Sequence, residues 1–96
     1  MPRVVWSPKA SQDIKNNYNY LALRNEEAAA KATQTIVKTA SSLEQNPYKG
    51  VIIEQGAGLR KLPVLFGKYG YVIHYVVLAD EIVILRIYHG SQNRPY

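Results

Sequence analysis

The densest apolar signal in the chain runs from Tyr71 to Gly90, YVIHYVVLADEIVILRIYHG, where two Val-, Ile- and Tyr-rich segments flank the polar Ala79-Asp80-Glu81. Alternation in the first segment places Tyr71, Ile73, Tyr75 and Val77 on one side and Val72, His74, Val76 and Leu78 on the other. Both sides are mostly apolar. The second segment, Ile82 to Tyr88, behaves alike, with Arg86 as its single charge. The pattern predicts a hairpin at the centre of a small sheet. With its turn on Ala79 and Asp80, His74 falls opposite Leu85. A sheet apolar on both faces must be covered on both, and a chain of 96 residues has few elements with which to do so, which predicts a partner.

Upstream the period changes. Arg3 to Trp6 is a short apolar run of strand character that stops at Ser7-Pro8, a helix cap followed by a proline suited to the first helical position. Ala10, Ile14, Tyr18 and Leu21 then form one stripe of an amphipathic helix, with Lys9, Gln12, Lys15, Asn16 and Asn19 on its other face. Arg24-Asn25 is a break, and Asn25 caps a second helix whose first turn holds Glu26 and Glu27, the favourable sign at a helix N-terminus. Ala29, Ala32, Ile36, Ala40 and Leu43 are its buried stripe, small enough to let the helices approach closely, and Asn46-Pro47 closes it. The connection from Tyr48 to Gly58 contains Val51-Ile52-Ile53, whose strand character the pattern leaves open. Leu59 to Phe66 reads as a strand, and Pro63 places it at an edge or a bulge. The prediction is an α+β fold in a single domain spanning residues 1–96. An N-terminal strand precedes an antiparallel helical hairpin packed on a small antiparallel sheet, in the order β-α-α-β-β-β.

Composition narrows the function classes. A net charge of +5 favours acidic partners such as nucleic acid, a ribosome or an acidic protein segment. Without cysteine there are no disulfides or thiolate metal sites. No apolar run approaches the roughly 20 residues of a membrane span, and Met1 to Ser7 lacks a signal-peptide core, so a cytoplasmic location without membrane contact is expected.

Motifs for catalysis are sparse. His74 and His89 are the only histidines and have no acidic or cysteine companion at metal spacing, so no metal site is expected. No G-x-S-x-G occurs, and the glycines around Gly56 and Gly58 lack both the GK[ST] ending and the following helix of a phosphate loop, so no cofactor is expected. Lys68 to Tyr75 approaches the aromatic pattern of RNA-recognition-motif sheets, but a glycine is missing after Lys68 and the last aromatic falls one residue late. The basic residues are the better clue. Arg60, Lys61, Lys68, Arg86 and Arg94 come from three strands and the tail. If they met on one side of the sheet they could, with His89, bind phosphates or stabilise charge in phosphodiester cleavage; the bland alternative is a scattered solvated set.

Several stretches together resemble the RelE/ParE toxins of bacterial toxin–antitoxin modules. They are Trp6-Ser7-Pro8-x-Ala10, Asn46-Pro47, Gly58-Leu59-Arg60-Lys61-Leu62, Gly70-Tyr71-Val72-Ile73-His74-Tyr75 and Leu85-Arg86-Ile87-Tyr88-His89-Gly90, which cover nearly the whole chain in the right order. The resemblance implies a growth-inhibiting toxin of a plasmid-stabilisation type module. Its cognate antitoxin would fold a disordered segment across it in a hetero-oligomer, covering the surplus apolar surface. The RelE branch cleaves mRNA on the ribosome with an arginine after the Gly-aromatic pair of the penultimate strand, another after the last strand's glycine, and a C-terminal tyrosine. Here those positions hold Val72 and Ser91-Gln92, and only Tyr96 could serve as the third. The remaining pattern is similar to the ParE branch, which binds DNA gyrase and traps cleaved DNA. On that reading Arg60, Lys61, Arg86, His89 and Arg94 are target-binding residues. On the alternative, a ribosome-dependent mRNA endonuclease, Arg60, Arg86 and His89 are the catalytic candidates.

Overall fold

The computed structural model describes residues 2–92. Strand β1 (Arg3–Trp6) runs directly into helix α1 (Pro8–Ala22) because Ser7 serves both. Its hydroxyl accepts from the Ala10 amide at 3.0 Å, capping the helix, and donates to the Leu85 carbonyl at 2.9 Å, pinning the helix start to the sheet. Asn25 caps α2 (Glu26–Ser41) in the same manner, accepting from the Ala28 amide at 3.0 Å. The α-helix ends at Ser41 and tightens into a 3-10 turn over Ser42–Glu44, ahead of the Asn46-Pro47 stop that the sequence suggests.

Strands β2 (Val51–Glu54), β3 (Leu59–Val64), β4 (Tyr71–Val77) and β5 (Glu81–His89) complete one sheet in the order β1-β5-β4-β3-β2. Val51–Glu54, undecided from pattern alone, is therefore the outer edge. The sheet is mixed, because β1 lies parallel to β5 while every other pair is antiparallel. The register of β2 stops opposite Lys61, so Pro63 lies where β3 has lost its outer neighbour and its missing donor costs nothing.

One register differs from expectation. His74 pairs with Arg86 and Tyr75 with Ile84, so Leu85 is the extra residue of a β-bulge and His74 does not face it. The bulge resets the alternation of β5, carrying Ile84 and Ile87 to the same face although they are an odd number of positions, three, apart. That face holds the core: Ile73, Tyr75, Ile82, Ile84 and Leu62 meet Ala10, Ala32, Ile36, Ala40 and Leu43 from the helical layer. Tyr18, expected in the stripe of α1, is 38% exposed. On the face away from the helices, Val72 and His74 are nonetheless buried, and the His74 ring packs edge-on against Tyr88 with centroids 4.8 Å apart. The middle of that face is thus closed by the chain's own side chains.

Candidate functional site

Strand alternation separates the basic residues that the sequence grouped. Arg60 and Lys61 are neighbours on β3 and so point to opposite faces. Arg60 pairs with Tyr75 on the helix-covered face, where its guanidinium donates to the Gly50 carbonyl at 2.7 Å and lies 5.0 Å from the Tyr48 ring centre. Lys61 is opposite His74 on the other face. Lys68 sits over the Tyr69 ring in the β3–β4 turn. Arg94, like Tyr96, lies outside the described residues. Lys61 and Arg86 both pair with His74 and so share the face away from the helices, while Arg60 takes the opposite face and Lys68 the turn; the described basic residues do not meet as one set.

Arg86 is tied down by a residue that sequence reading passed over. Beyond Trp6 the outer edge of β5 has no strand beside it, and α1 closes it with side chains. The Asp13 carboxylate accepts from Arg86 Nε at 2.8 Å, from Arg86 Nη2 at 3.1 Å and from the Ile87 backbone amide at 2.9 Å. The Asp13 hydrogen bond pushes the Arg86 pKa above its ordinary value, with the carboxylate's charge acting in the same direction. Glu44 closes β1 in a similar way, accepting from the Val4 amide at 3.0 Å.

His89 is placed differently. It pairs with Tyr71 at the end of β5 and lines a cleft of about 680 Å³ between α1, the β3–β4 turn and the last residues of β5. Asn17, Tyr20 and Arg24 come from the helical side, and Tyr69, Tyr71 and Gln92 from the sheet side. The Asn17 amide donates to the Tyr71 hydroxyl at 2.9 Å, and the Tyr71 ring meets the His89 ring edge-on at 5.5 Å. The Tyr69 ring centre lies 5.8 Å from that of His89, tilted against it. The imidazole Nδ1 lies 2.7 Å from Ser91 Oγ. The arrangement offers aromatic surface and hydrogen-bond donors, the chemistry of recognition at a mixed polar and apolar surface. Of the three catalytic candidates, the cleft contains His89 alone. The sequence did carry a signal for the helical wall: Asp13, Asn17, Tyr20 and Arg24 recur at spacings of four, three and four, a second stripe beside the apolar one. Among the described residues no group of three or more His, Cys, Asp or Glu could hold a metal ion, and no helix is long and apolar enough to cross a membrane.

This fold and order of elements have known counterparts. Residues 4–94 match the family described as "ParE toxin of type II toxin-antitoxin system, parDE". Toxin RelE3 of Caulobacter vibrioides is 34% identical over 94 residues, covering 98% of this chain and all of that protein. Toxin RelE1 of the same organism is 30% identical over 91 residues, covering 95% of this chain and 96% of that protein. A solved structure of the chromosomal ParDE system from P. aeruginosa aligns with a TM-score of 0.76 at 31% identity, over 93% of this chain and 96% of its counterpart. The solution structure of a conserved hypothetical protein from Helicobacter pylori shares the fold at 16% identity, with a TM-score of 0.58 over 96% of this chain and 98% of that one. With a family match over nearly its whole length and relatives at this level of identity, the chain belongs to the RelE/ParE family, the toxins of type II toxin–antitoxin systems, whose partner is an antitoxin.

Proposed function

We propose that this toxin inhibits growth by binding DNA gyrase in the ParE manner, in the cytoplasm, and that its antitoxin neutralises it in a hetero-oligomer of plasmid-stabilisation type. The observation that supports this reading is the commitment of the candidate catalytic arginines to the fold. The Arg60 guanidinium holds the Gly50 carbonyl, and Arg86 is held by both oxygens of Asp13. A cation that stabilises a transition state must be aimed at the developing charge, and these two are aimed at their own chain. Protein recognition asks less of them, since aromatic and polar residues around a cleft suffice.

Ribosome-dependent mRNA cleavage is the second reading, favoured by His89 lying among Tyr69 and Tyr71, groups able to move protons. The two readings separate in a translating extract. With purified protein added, the gyrase reading expects message ends identical to the untreated control. New ends at ribosomal A sites would reject it and make Arg60, Arg86 and His89 the residues to mutate.

A further inference from the structure

The cleft between α1 and the end of β5 carries a donor pattern that membership of a toxin family does not explain. The Ser91 backbone nitrogen lies 3.2 Å from His89 Nδ1 and donates to it, and the Ser91 hydroxyl is 2.7 Å from the same atom. A backbone N–H only donates, so in this contact Nδ1 is the acceptor, and Nε2 is the ring nitrogen left to donate. His89 therefore presents the cleft with a donor. Asp13, the carboxylate in the lining, has Oδ2 engaged by Arg86 Nε and the Ile87 amide and Oδ1 by Arg86 Nη2, so its charge is paired and both of its oxygens already accept. Arg24, at the end of α1, lines the same cleft, makes no ion pair among the described residues, and lies 5.3 Å from the Tyr20 ring centre. Tyr20 and Tyr69 form the walls and are 58% and 57% exposed.

We propose that this cleft is a recognition site for an acidic segment of a protein partner, in which an Asp or Glu carboxylate is held by Arg24 and His89 Nε2 and an adjacent aromatic or apolar side chain packs on Tyr20 and Tyr69. A carboxylate brings acceptors only, which is what one guanidinium and one imidazole N–H require. Nucleic acid fits less well. A phosphate backbone needs a track of cations, whereas Lys61 is on the far face and Arg60 and Arg86 are engaged by their own chain. Exposed tyrosines, Tyr20 beside Arg24 and Tyr69 beside Lys68, match the anchors of protein interfaces. The proposal rests on the protein-binding reading above and names the chemistry of its recognition site.

The test is a titration of the ¹⁵N-labelled full chain, followed by NMR, with acetyl-Glu-Tyr-Glu-amide, acetyl-Gln-Tyr-Gln-amide and the dinucleotide pUpU as separate probes. The Glu peptide is expected to shift the Arg24, Tyr69, Ser91 and Gln92 amides saturably. Replacing it by the Gln peptide, or Arg24 by Gln, is expected to weaken binding about tenfold, the size of one charge-assisted hydrogen bond. The His89 nitrogen spectrum is expected to show Nδ1 unprotonated. Equal binding of the two peptides, tighter binding of pUpU, an unaffected Arg24→Gln variant, or a proton on Nδ1 each overturns the proposal. The peptide assay contains no gyrase, so the two failures are distinct. Peptide binding without gyrase inhibition keeps the cleft and rejects the target; gyrase inhibition without peptide binding does the reverse.

Discussion

Asp13 and Arg86, 73 residues apart in sequence, form an ion pair of 2.8 Å that closes the open edge of β5, with the Ile87 amide sharing the same carboxylate oxygen. Asp13 is only 15% exposed, so removing it strands a cation and a backbone donor together. Asp13→Ala is expected to cost about 2 kcal/mol, and Arg86→Ala less, because Arg86 is 36% exposed and its removal leaves a carboxylate that still accepts from Ile87. Chemical denaturation of both single variants and the double variant measures the coupling. Strict additivity would show that the pair does not act as a unit.

Tyr75 does for the β2 side of the sheet what Asp13 does for β5. Its buried hydroxyl donates to the Pro47 carbonyl at 2.9 Å and accepts from the Gly50 amide at 2.8 Å, fixing the loop that leads into β2. Tyr75→Phe orphans both groups and is expected to cost on the order of 1–3 kcal/mol. Burial raises the pKa of this hydroxyl above the ordinary tyrosine value of 10.0, against smaller opposing effects of the Gly50 hydrogen bond and the Arg60 charge. Below pH 10 both the folded and the unfolded chain hold the proton and the contribution is intact. Above it the unfolded chain releases the proton first, so stability falls as pH rises toward the folded-state pKa. Denaturation midpoints on either side of pH 10 should therefore converge between wild type and Tyr75→Phe on the alkaline side; parallel curves would contradict the buried-hydroxyl account.

The fold was largely legible before the structure because its signals are local. Ser7-Pro8 and Asn25 cap helices through their own hydroxyl and amide groups, and the Ala29, Ala32, Ile36, Ala40 stripe needs only the helical period to be seen. Leu85 shows where that ends. A bulge is set by how two strands close against a third element, and nothing in ILRIY marks which residue will be the extra one. The parallel pairing of β1 with β5 is likewise a matter of long-range register. The candidate site was legible only in His89. Arg60 and Lys61 were grouped by charge although adjacent strand positions oppose each other, and Arg24 was taken as a helix break, so its place on the cleft wall did not emerge.

Gly90 links the fold to the cleft. Its amide donates to the Gly70 carbonyl at 2.8 Å, and a Cβ at this position would collide with the Tyr69 carbonyl oxygen. Any side chain there must push the β3–β4 turn away and carry Tyr69 with it. Gly90→Ala is thus expected to lose several kcal/mol of stability or to fold with a displaced turn, in either case abolishing growth inhibition. A variant that inhibits growth fully at the wild-type melting temperature would contradict this packing.

Growth inhibition by variants of the basic residues separates holding from touching. Arg60→Ala and Arg86→Ala should lose inhibition in step with a lowered melting temperature, roughly 4–8 °C for each kcal/mol in a domain of this size. His89→Ala should lose inhibition with less change in melting temperature, since His89 lines the cleft and its ring hydrogen-bonds only to Ser91 among the described residues. Expression in a host lacking the antitoxin, paired with thermal melts of the purified variants, gives both quantities. Full toxicity of His89→Ala would remove the cleft from the account.

The central claim, that the toxin acts by binding gyrase, is tested most directly by gyrase supercoiling of relaxed plasmid with ATP, with and without the purified protein, followed by detergent and protease to release any linear DNA. The account predicts lost supercoiling and linear product in proportion to added toxin, suppressed when the Arg24 and His89 cleft is altered. Unimpaired supercoiling without linear product, from protein shown by its melt to be folded, would contradict it.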